Sequence, residues 1–267
     1  MSRRQLIPRS RRLTCDVLHF HRKVPICVQH RSVSIEKVNC LRRQLTPRIS
    51  LPAVMLKACS LAAEGIPELR QAWLGGPVAS LYTHPHSVAM LVIQRWYRGE
   101  RWLFWGRFNS PESTPLAALQ SRLDEYQQGD LLTQFRQQLQ FSALPGWLRR
   151  GLLWWNLNVS GESRARRTGT FVLSTLAAQG VEIECPPAFH TANFSYGPIG
   201  GDGHSRLTLA YDHRVFDGAL AAEALERIED ALHGPVSVEL EQVLSAATAP
   251  SRLHERDSLS SAPLATS

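Results

Sequence analysis

The sequence predicts a single α/β domain in which a mixed sheet packs against helices, and three observations carry that reading. Helical and strand patterns alternate through the first half of the chain, strand patterns cluster in the second half, and 267 residues with 43% hydrophobic and 8% aromatic content suffice for one large core. That composition excludes global disorder. No apolar stretch approaches the roughly 18 residues of a membrane span. The N-terminus, MSRRQLIPRSRR, lacks the apolar core of a signal peptide, so a cytoplasmic location is expected.

Residues 11–22 have mixed helical spacing, and VPICVQHRSVSI (24–35) is β-branched and roughly alternating, which gives a helix and then a strand. A helix follows at about 35–45. LPAVMLKACSLAAEG (51–65) is a strongly apolar core helix with Pro52 in its first turn and Gly65 as its stop. VAMLVIQRWYRGERWLFWGRF (88–108) reads as two strands around Arg98-Gly99, a hairpin signal. From Thr114 to about Phe141 the pattern is helical with a break at Gly129. ALPGWLRRGLLWWNLN (143–158) sets Trp147, Leu148, Leu152 and Trp155 on one side of a helix and Arg149 and Arg150 on the other. TGTFVLST (168–175), HTANFSYG (190–197) and SRLTLAYDH (205–213) are strands, and ALAAEALERIEDALHG (219–234) is an amphipathic helix ended by Gly234. From residue 245 the Ser/Ala/Pro/Thr-rich tail has too little apolar content to pack and is expected to be disordered.

The charge of +7 is unevenly placed. Residues 1–48 hold twelve arginines and lysines against Asp16 and Glu36, so this end carries an excess of ten positive charges and the remainder is mildly acidic. A basic balance invites a nucleic-acid reading, but no recognition motif accompanies it and no nucleic-acid partner is expected. Five cysteines, at 15, 27, 40, 59 and 185, are scattered without a C-x-x-C pair and read as reduced, small apolar residues. His19/His21 and His84/His86 are spaced H-x-H without a completing ligand cluster, so no metal is expected.

The segment most informative about chemistry is TLAYDHRVFDGALAAEALERIEDAL (208–232). A strand delivers His213 to a strand-to-helix turn, with Asp217 four residues on and Gly218 opening the helix. An imidazole there can act as general base on a thiol or hydroxyl, a contribution of roughly 10²–10⁴-fold. The spacing equally allows a hydrogen-bonded structural histidine with Asp217 as helix N-cap.

This segment resembles the His-Arg-x-x-Asp-Gly signature of the catalytic domain of dihydrolipoyl acyltransferases of 2-oxo acid dehydrogenase complexes, within the superfamily of chloramphenicol acetyltransferase. KVPICVQHRSVSIEKVNCLRRQL (23–45), LPAVMLKACSLAAEGIPELRQAW (51–73) and GTFVLST (169–175) are similar to further family segments in the family's order. The resemblance covers about residues 11–235. It implies a chloramphenicol acetyltransferase-like two-layer sandwich of mixed sheet and helices, trimeric, with 1–10 a basic extension, 11–244 the catalytic domain and 245–267 the tail. It implies that His213 is the base, that Ser174 donates its hydroxyl to the oxyanion, and that Asp217 pairs with an N-terminal arginine, Arg11 or Arg12. Arg214 is expected to position the turn. The reaction implied is direct acyl transfer between coenzyme A and an acceptor, with His from one subunit and Ser from its neighbour. The same fold could instead serve a non-catalytic assembly subunit of a complex core, a role that needs no base.

Two departures bear on the acceptor. The chain reaches its catalytic segments at once, so it is expected to carry no lipoyl arm; a lipoyl group in trans or a small-molecule acceptor is implied. The stretch of about 130–166, with PGWLRRGLLWWN and ESRARR, is longer than the family pattern and reads as an insertion. Its tryptophan-rich helix is expected to pack on the domain or at a subunit contact, in preference to a membrane surface.

Overall fold

The structure, a computed structural model, describes residues 5–248. Strands β1 (Ile26–Ser34), β2 (Gln71–Leu74), β3 (Ser80–Thr83), β4 (Val88–Tyr97), β5 (Glu100–Asn109), β6 (Phe171–Thr175), β7 (Ala192–Tyr196) and β8 (His204–Asp212) alternate with helices α1 (Arg9–His21), α2 (Glu36–Gln44), α3 (Leu51–Gly65), α4 (Leu116–Gln128), α5 (Leu131–Ala143), α6 (Gly146–Asn158), α7 (Gly161–Thr168), α8 (Gly218–Ala231) and α9 (Ser237–Thr248). Six strands form one sheet in the order β1-β8-β7-β6-β4-β5, and β2 and β3 form a separate hairpin. The β4–β6 and β6–β7 pairs are parallel and the other pairs antiparallel. In the β4–β5 turn both Arg98 (φ 52°) and Gly99 (φ 76°) are left-handed, the conformation that matches a two-residue turn to strand twist.

Alternation divides the sheet into two unlike faces. Leu91, Phe104, Phe171, Leu173, Phe194, Leu207, Leu209 and Tyr211 point to one face and lie in the main core with buried side chains of α3, α4 and α8. The helix at 51–65 is buried almost all round because it runs between this face and its helical neighbours. The second face carries an apolar strip of Met90, Val92, Trp105 and Val172 at the β4–β5 end. Toward β8 it turns polar, with Asn193, Ser195, Thr208 and Asp212 all buried.

The stretch of 130–166 becomes α5, α6 and most of α7, and it wraps the open edge of the sheet. Phe135 of α5 stacks on Phe104 at 4.5 Å on the core face. One turn later the Gln138 amide accepts from the Trp105 N–H (3.1 Å) and donates to the Trp105 carbonyl (2.7 Å), which satisfies an edge strand that has no further neighbour. Arg9 of α1 ties the end of α5 by donating to Ser142 Oγ at 2.9 Å.

Two sequence expectations change here. Helix α6 is present, but the face it buries is the one with Arg149, Leu153, Asn156 and Leu157: Trp147 and Trp155 are 76% and 61% exposed, whereas Arg149 is 5% exposed. The cause is Asp16 of α1, fully buried, which accepts from Arg149 Nε at 2.6 Å and from Arg150 Nε at 3.3 Å. A sealed carboxylate without a counter-charge costs more than exposed indole area gains. The second change is at the C-terminus. The helix ends at Ala231, a wide turn spans Leu232–Val236 around Gly234 and Pro235, and α9 then runs on to Thr248 with Leu240 in the core. The tail expected from residue 245 is therefore helical for its first residues, and its remainder lies outside the described residues.

If Asp16–Arg149 fixes α6 on α1, removing one partner strands a buried charge. Asp16→Asn is expected to lower the unfolding free energy by about 3–5 kcal/mol in urea titration. The double variant Asp16→Leu/Arg149→Met should recover most of that loss. A loss below about 1 kcal/mol for Asp16→Asn would show that the pair does not hold the insertion down.

Candidate active site

The turn after β8 is built to hold its backbone still and present His213 outward. Asp212 is fully buried, and its carboxylate accepts from the Arg214 N–H (3.0 Å), Nε (2.9 Å) and Nη2 (2.6 Å). The Val215 N–H closes the turn on the Asp212 carbonyl at 3.0 Å, and the His213 N–H donates to the Pro25 carbonyl at 3.0 Å. Arg214 lies 5.3 Å from the Trp73 ring centre, so its guanidinium is held on both sides. The His213 ring is exposed, 5.7 Å from the ring of Tyr211. Just beyond, Asp217 accepts from Ala219 and Leu220 N–H groups at 3.1 and 3.3 Å and caps α8. At Gly218 a Cβ would lie 2.6 Å from Gln29 Nε2, so a larger residue there would have to push the Gln29 amide aside.

Ser174 sits on the polar side of β6, half-buried, and its hydroxyl makes no hydrogen bond to another described residue. It forms part of the wall between two hollows. One is a half-open, largely apolar hollow of about 220 Å³ under α1, α5 and α6. The other is a wide cleft of about 1020 Å³ that reaches Arg42, Arg43 and Arg48. Arg42 is buried, donates to Asn39 Oδ1 at 2.5 Å, and its guanidinium pKa is brought down to about 10 by burial and then by the neighbouring Arg48 and Arg43. Neither Arg43 nor Arg48 has a carboxylate partner among the described residues, so the cleft carries uncompensated positive charge.

Ser174 and His213 are not together in one chain. Ser174 pairs with Ser195, which pairs with Thr208, five residues before His213. At the rise and spacing of a sheet this places the two about 17 Å apart along the strands and about 10 Å apart across them. Within the described residues of one chain Arg11 and Arg12 make no ion pair, and one oxygen of the exposed Asp217 carboxylate caps α8. The supporting residues that the sequence reading missed are Asp212, Arg42 and Arg164. Asp212 was legible as the carboxylate two residues before Arg214. Arg164 was not, since only folding brings it near Asp212; its Nη atoms donate to the carbonyls of Trp73 (2.6 Å), Leu157 (3.0 Å) and Phe189 (2.7 Å), and burial lowers its pKa to about 10. Among the described residues no group of three or more His, Cys, Asp or Glu is placed to hold a metal ion.

No protein-family model matches the chain, and no curated protein matches its sequence. Solved structures do match. A dihydrolipoamide acetyltransferase of Azotobacter vinelandii aligns over 89% of this chain and 94% of its own at 17% identity, with a TM-score of 0.65. The fold is that of the dihydrolipoamide acetyltransferase cores. A probable dihydrolipoamide acetyltransferase from Listeria monocytogenes covers 93% of this chain and 98% of its own (15% identity, TM-score 0.62). A truncated catalytic core of the 2-oxoacid dehydrogenase complex from Thermoplasma acidophilum covers 88% and 99% (12% identity, TM-score 0.62). The Azotobacter protein is one in whose catalytic mechanism a serine, a histidine and an asparagine four residues after that histidine have been investigated. In this acetyltransferase-core fold the position four residues after His213 is Asp217, an acid that caps its helix.

One further histidine of the region is set by burial. His190 donates through Nε2 to the Thr168 carbonyl at 2.5 Å, its Nδ1 has no partner among the described residues, and burial, reinforced by Arg164 and only partly offset by that carbonyl, lowers its pKa to about 4. Folding thus disfavours the imidazolium. His190 costs no stability above the unfolded value near 6.5, and its penalty accumulates as pH falls from there to about 4. The wild-type protein is expected to lose stability more steeply across that window than His190→Gln in chemical denaturation at stepped pH. Parallel pH profiles would sink this assignment.

Proposed function

We propose that this chain is an acyltransferase that moves an acyl group between coenzyme A and an acceptor, at sites shared between copies of the chain. The observation that carries the reading is the separation of Ser174 from His213. Each side chain stands at a surface or cleft, each belongs to a motif of the acyltransferase resemblance, and a rigid sheet keeps them too far apart to act on one carbonyl in one protomer. A neighbouring copy that offers its His213 to the cleft of Ser174 completes the pair. A ring of three such contacts, as the resemblance implies, uses one heterologous interface and closes.

In this site the acceptor, written R–SH, gives its proton to a His213 imidazole nitrogen as its sulfur attacks the thioester carbon. The carbonyl oxygen becomes an oxyanion and accepts a hydrogen bond from the Ser174 hydroxyl, a contact of a kind worth about 3 kcal/mol in the transition state. The tetrahedral species collapses, the carbon–sulfur bond to coenzyme A breaks, and the leaving thiolate takes the proton from the imidazolium. The acyl group has then changed sulfur with no covalent enzyme intermediate. An amine or hydroxyl acceptor follows the same proton path.

Arg42, Arg43 and Arg48 support coenzyme A as one substrate. They share the cleft of Ser174, and three clustered guanidiniums suit the phosphates of that carrier. The Asp212–Arg214 fork would act as a positioning device, fixing the backbone on which His213 rides. The acceptor is a lipoyl group brought by another protein or a small molecule with a thiol, amine or hydroxyl.

Release of free coenzyme A from acetyl-CoA and longer acyl thioesters, against dihydrolipoamide and a panel of amines and alcohols, tests the activity. His213→Ala is expected to lower kcat about 10²–10⁴-fold and Ser174→Ala about 10²–10³-fold. When the two inactive variants are unfolded, mixed equally and reassembled, a site works only if one copy supplies His213 and the other Ser174, so about a quarter of wild-type activity should return. No recovery in a mixed oligomer would rule out the shared site, and an assembled wild type that never turns over would leave the chain as an assembly subunit.

A further inference from the structure

We infer that the hollow beneath α1, α5 and α6 holds the acyl chain of a medium-length acyl thioester, an assignment that rests on the acyl-transfer reading above. Leu13 and Val17 of α1, Val92 and Trp105 of the sheet, Phe141 of α5 and Leu153 of α6 line it. Its polar members have little to offer a charged guest. Gln138 spends both ends of its amide on the β5 backbone, and burial keeps His190 neutral. Arg167 is exposed, and no carboxylate among the described residues lines the hollow.

The occupant follows from what lies on either side of Ser174. Ser174, Val92 and Leu103 line both the apolar hollow and the arginine-bearing cleft. A thioester whose carbonyl oxygen meets the Ser174 hydroxyl therefore has two unlike spaces to fill: an apolar one, and a basic one that suits the phosphate-bearing arm. Size narrows the acyl class. An apolar cavity of about 150 Å³ accommodates a six-carbon ring, so one of about 220 Å³ accommodates a chain or ring of about eight carbons, and an acetyl group would leave most of it empty. The walls supplied by Gln138, Phe141 and Leu153 come from the inserted stretch, which ties the chain-length preference to the insertion.

Burial of each methylene tightens binding about fourfold, so kcat/KM should climb from acetyl-CoA through hexanoyl- to octanoyl-CoA, by at least tenfold overall, and stop climbing at dodecanoyl-CoA. Leu153→Trp, which fills the hollow, is expected to cut the octanoyl-to-acetyl ratio by about tenfold or more; Val17→Phe serves as a second filling variant, with folding of both checked by thermal melting. An active enzyme with a flat chain-length profile, or folded variants with an unchanged ratio, overturns the assignment. Calorimetric binding of octanoyl-CoA and acetyl-CoA to the assembled protein separates the two readings. Tighter octanoyl-CoA binding without turnover of any thioester sinks acyl transfer and keeps the acyl pocket.

Discussion

A carboxylate sealed from water has to be neutralised where it stands, and Asp16 is sealed in the middle of α1. Its needs set the roll of α6: Arg149 is drawn in, and the helix turns its tryptophans outward. With Arg9 gripping Ser142 at the end of α5, the same contact makes α1, α5 and α6 one roof over the second face of the sheet. Without that roof the apolar strip of Met90, Val92, Trp105 and Val172 would face water. The roof spans the strip without filling it, and a hollow opens onto Ser174. One ion pair thus links helix orientation, sheet protection and the shape of the candidate site.

The sheet imposes the second constraint. Hydrogen-bonded registry from β6 through β7 to β8 fixes Ser174 and His213 at opposite ends of the strands, and no loop movement shortens a distance set by strand registry. The fold instead invests in holding each end firm. Asp212 and Arg214 lock the backbone around His213, and Asp217 and Gly218 start α8 directly behind it. At the other end Ser174 keeps a free hydroxyl on a strand with partners on both sides. The proposed site shared between copies needs two rigid elements of this kind, held apart within each chain.

Much of this was readable in the sequence where period and punctuation agree. The core helix 51–65 and the Arg98-Gly99 hairpin stand as the pattern set them; the strand with Ser174 is present but starts at Phe171, and the one before His213 ends at Asp212. What escaped depends on contacts distant in sequence. The face that α6 buries is decided by Asp16, more than a hundred residues away, against its own amphipathic pattern. The strands Gln71–Leu74 and Ser80–Thr83 are four residues each, too short for alternation to show. Gly234 looked like an end, yet a wide turn absorbs it together with Pro235 and the chain continues as α9. The motifs named Ser174 and His213, but only strand registry revealed that they lie apart.

The basic segment 1–48 also takes its meaning from placement. Part of its charge is structural: Arg9 serves α5, Arg31 pairs with Glu229 and Lys37 with Glu241. Arg42, Arg43 and Arg48 differ. Burial first, and then the nearness of Arg48 and Arg43, weakens the proton hold of Arg42, and all three line the cleft that ends at Ser174. A surface that reads a polynucleotide spreads its cations along the path of a backbone, whereas here three guanidiniums converge on one hollow. Mutual repulsion among them is a standing cost that an anionic guest relieves. That cost favours a compact, multiply charged ligand beside Ser174.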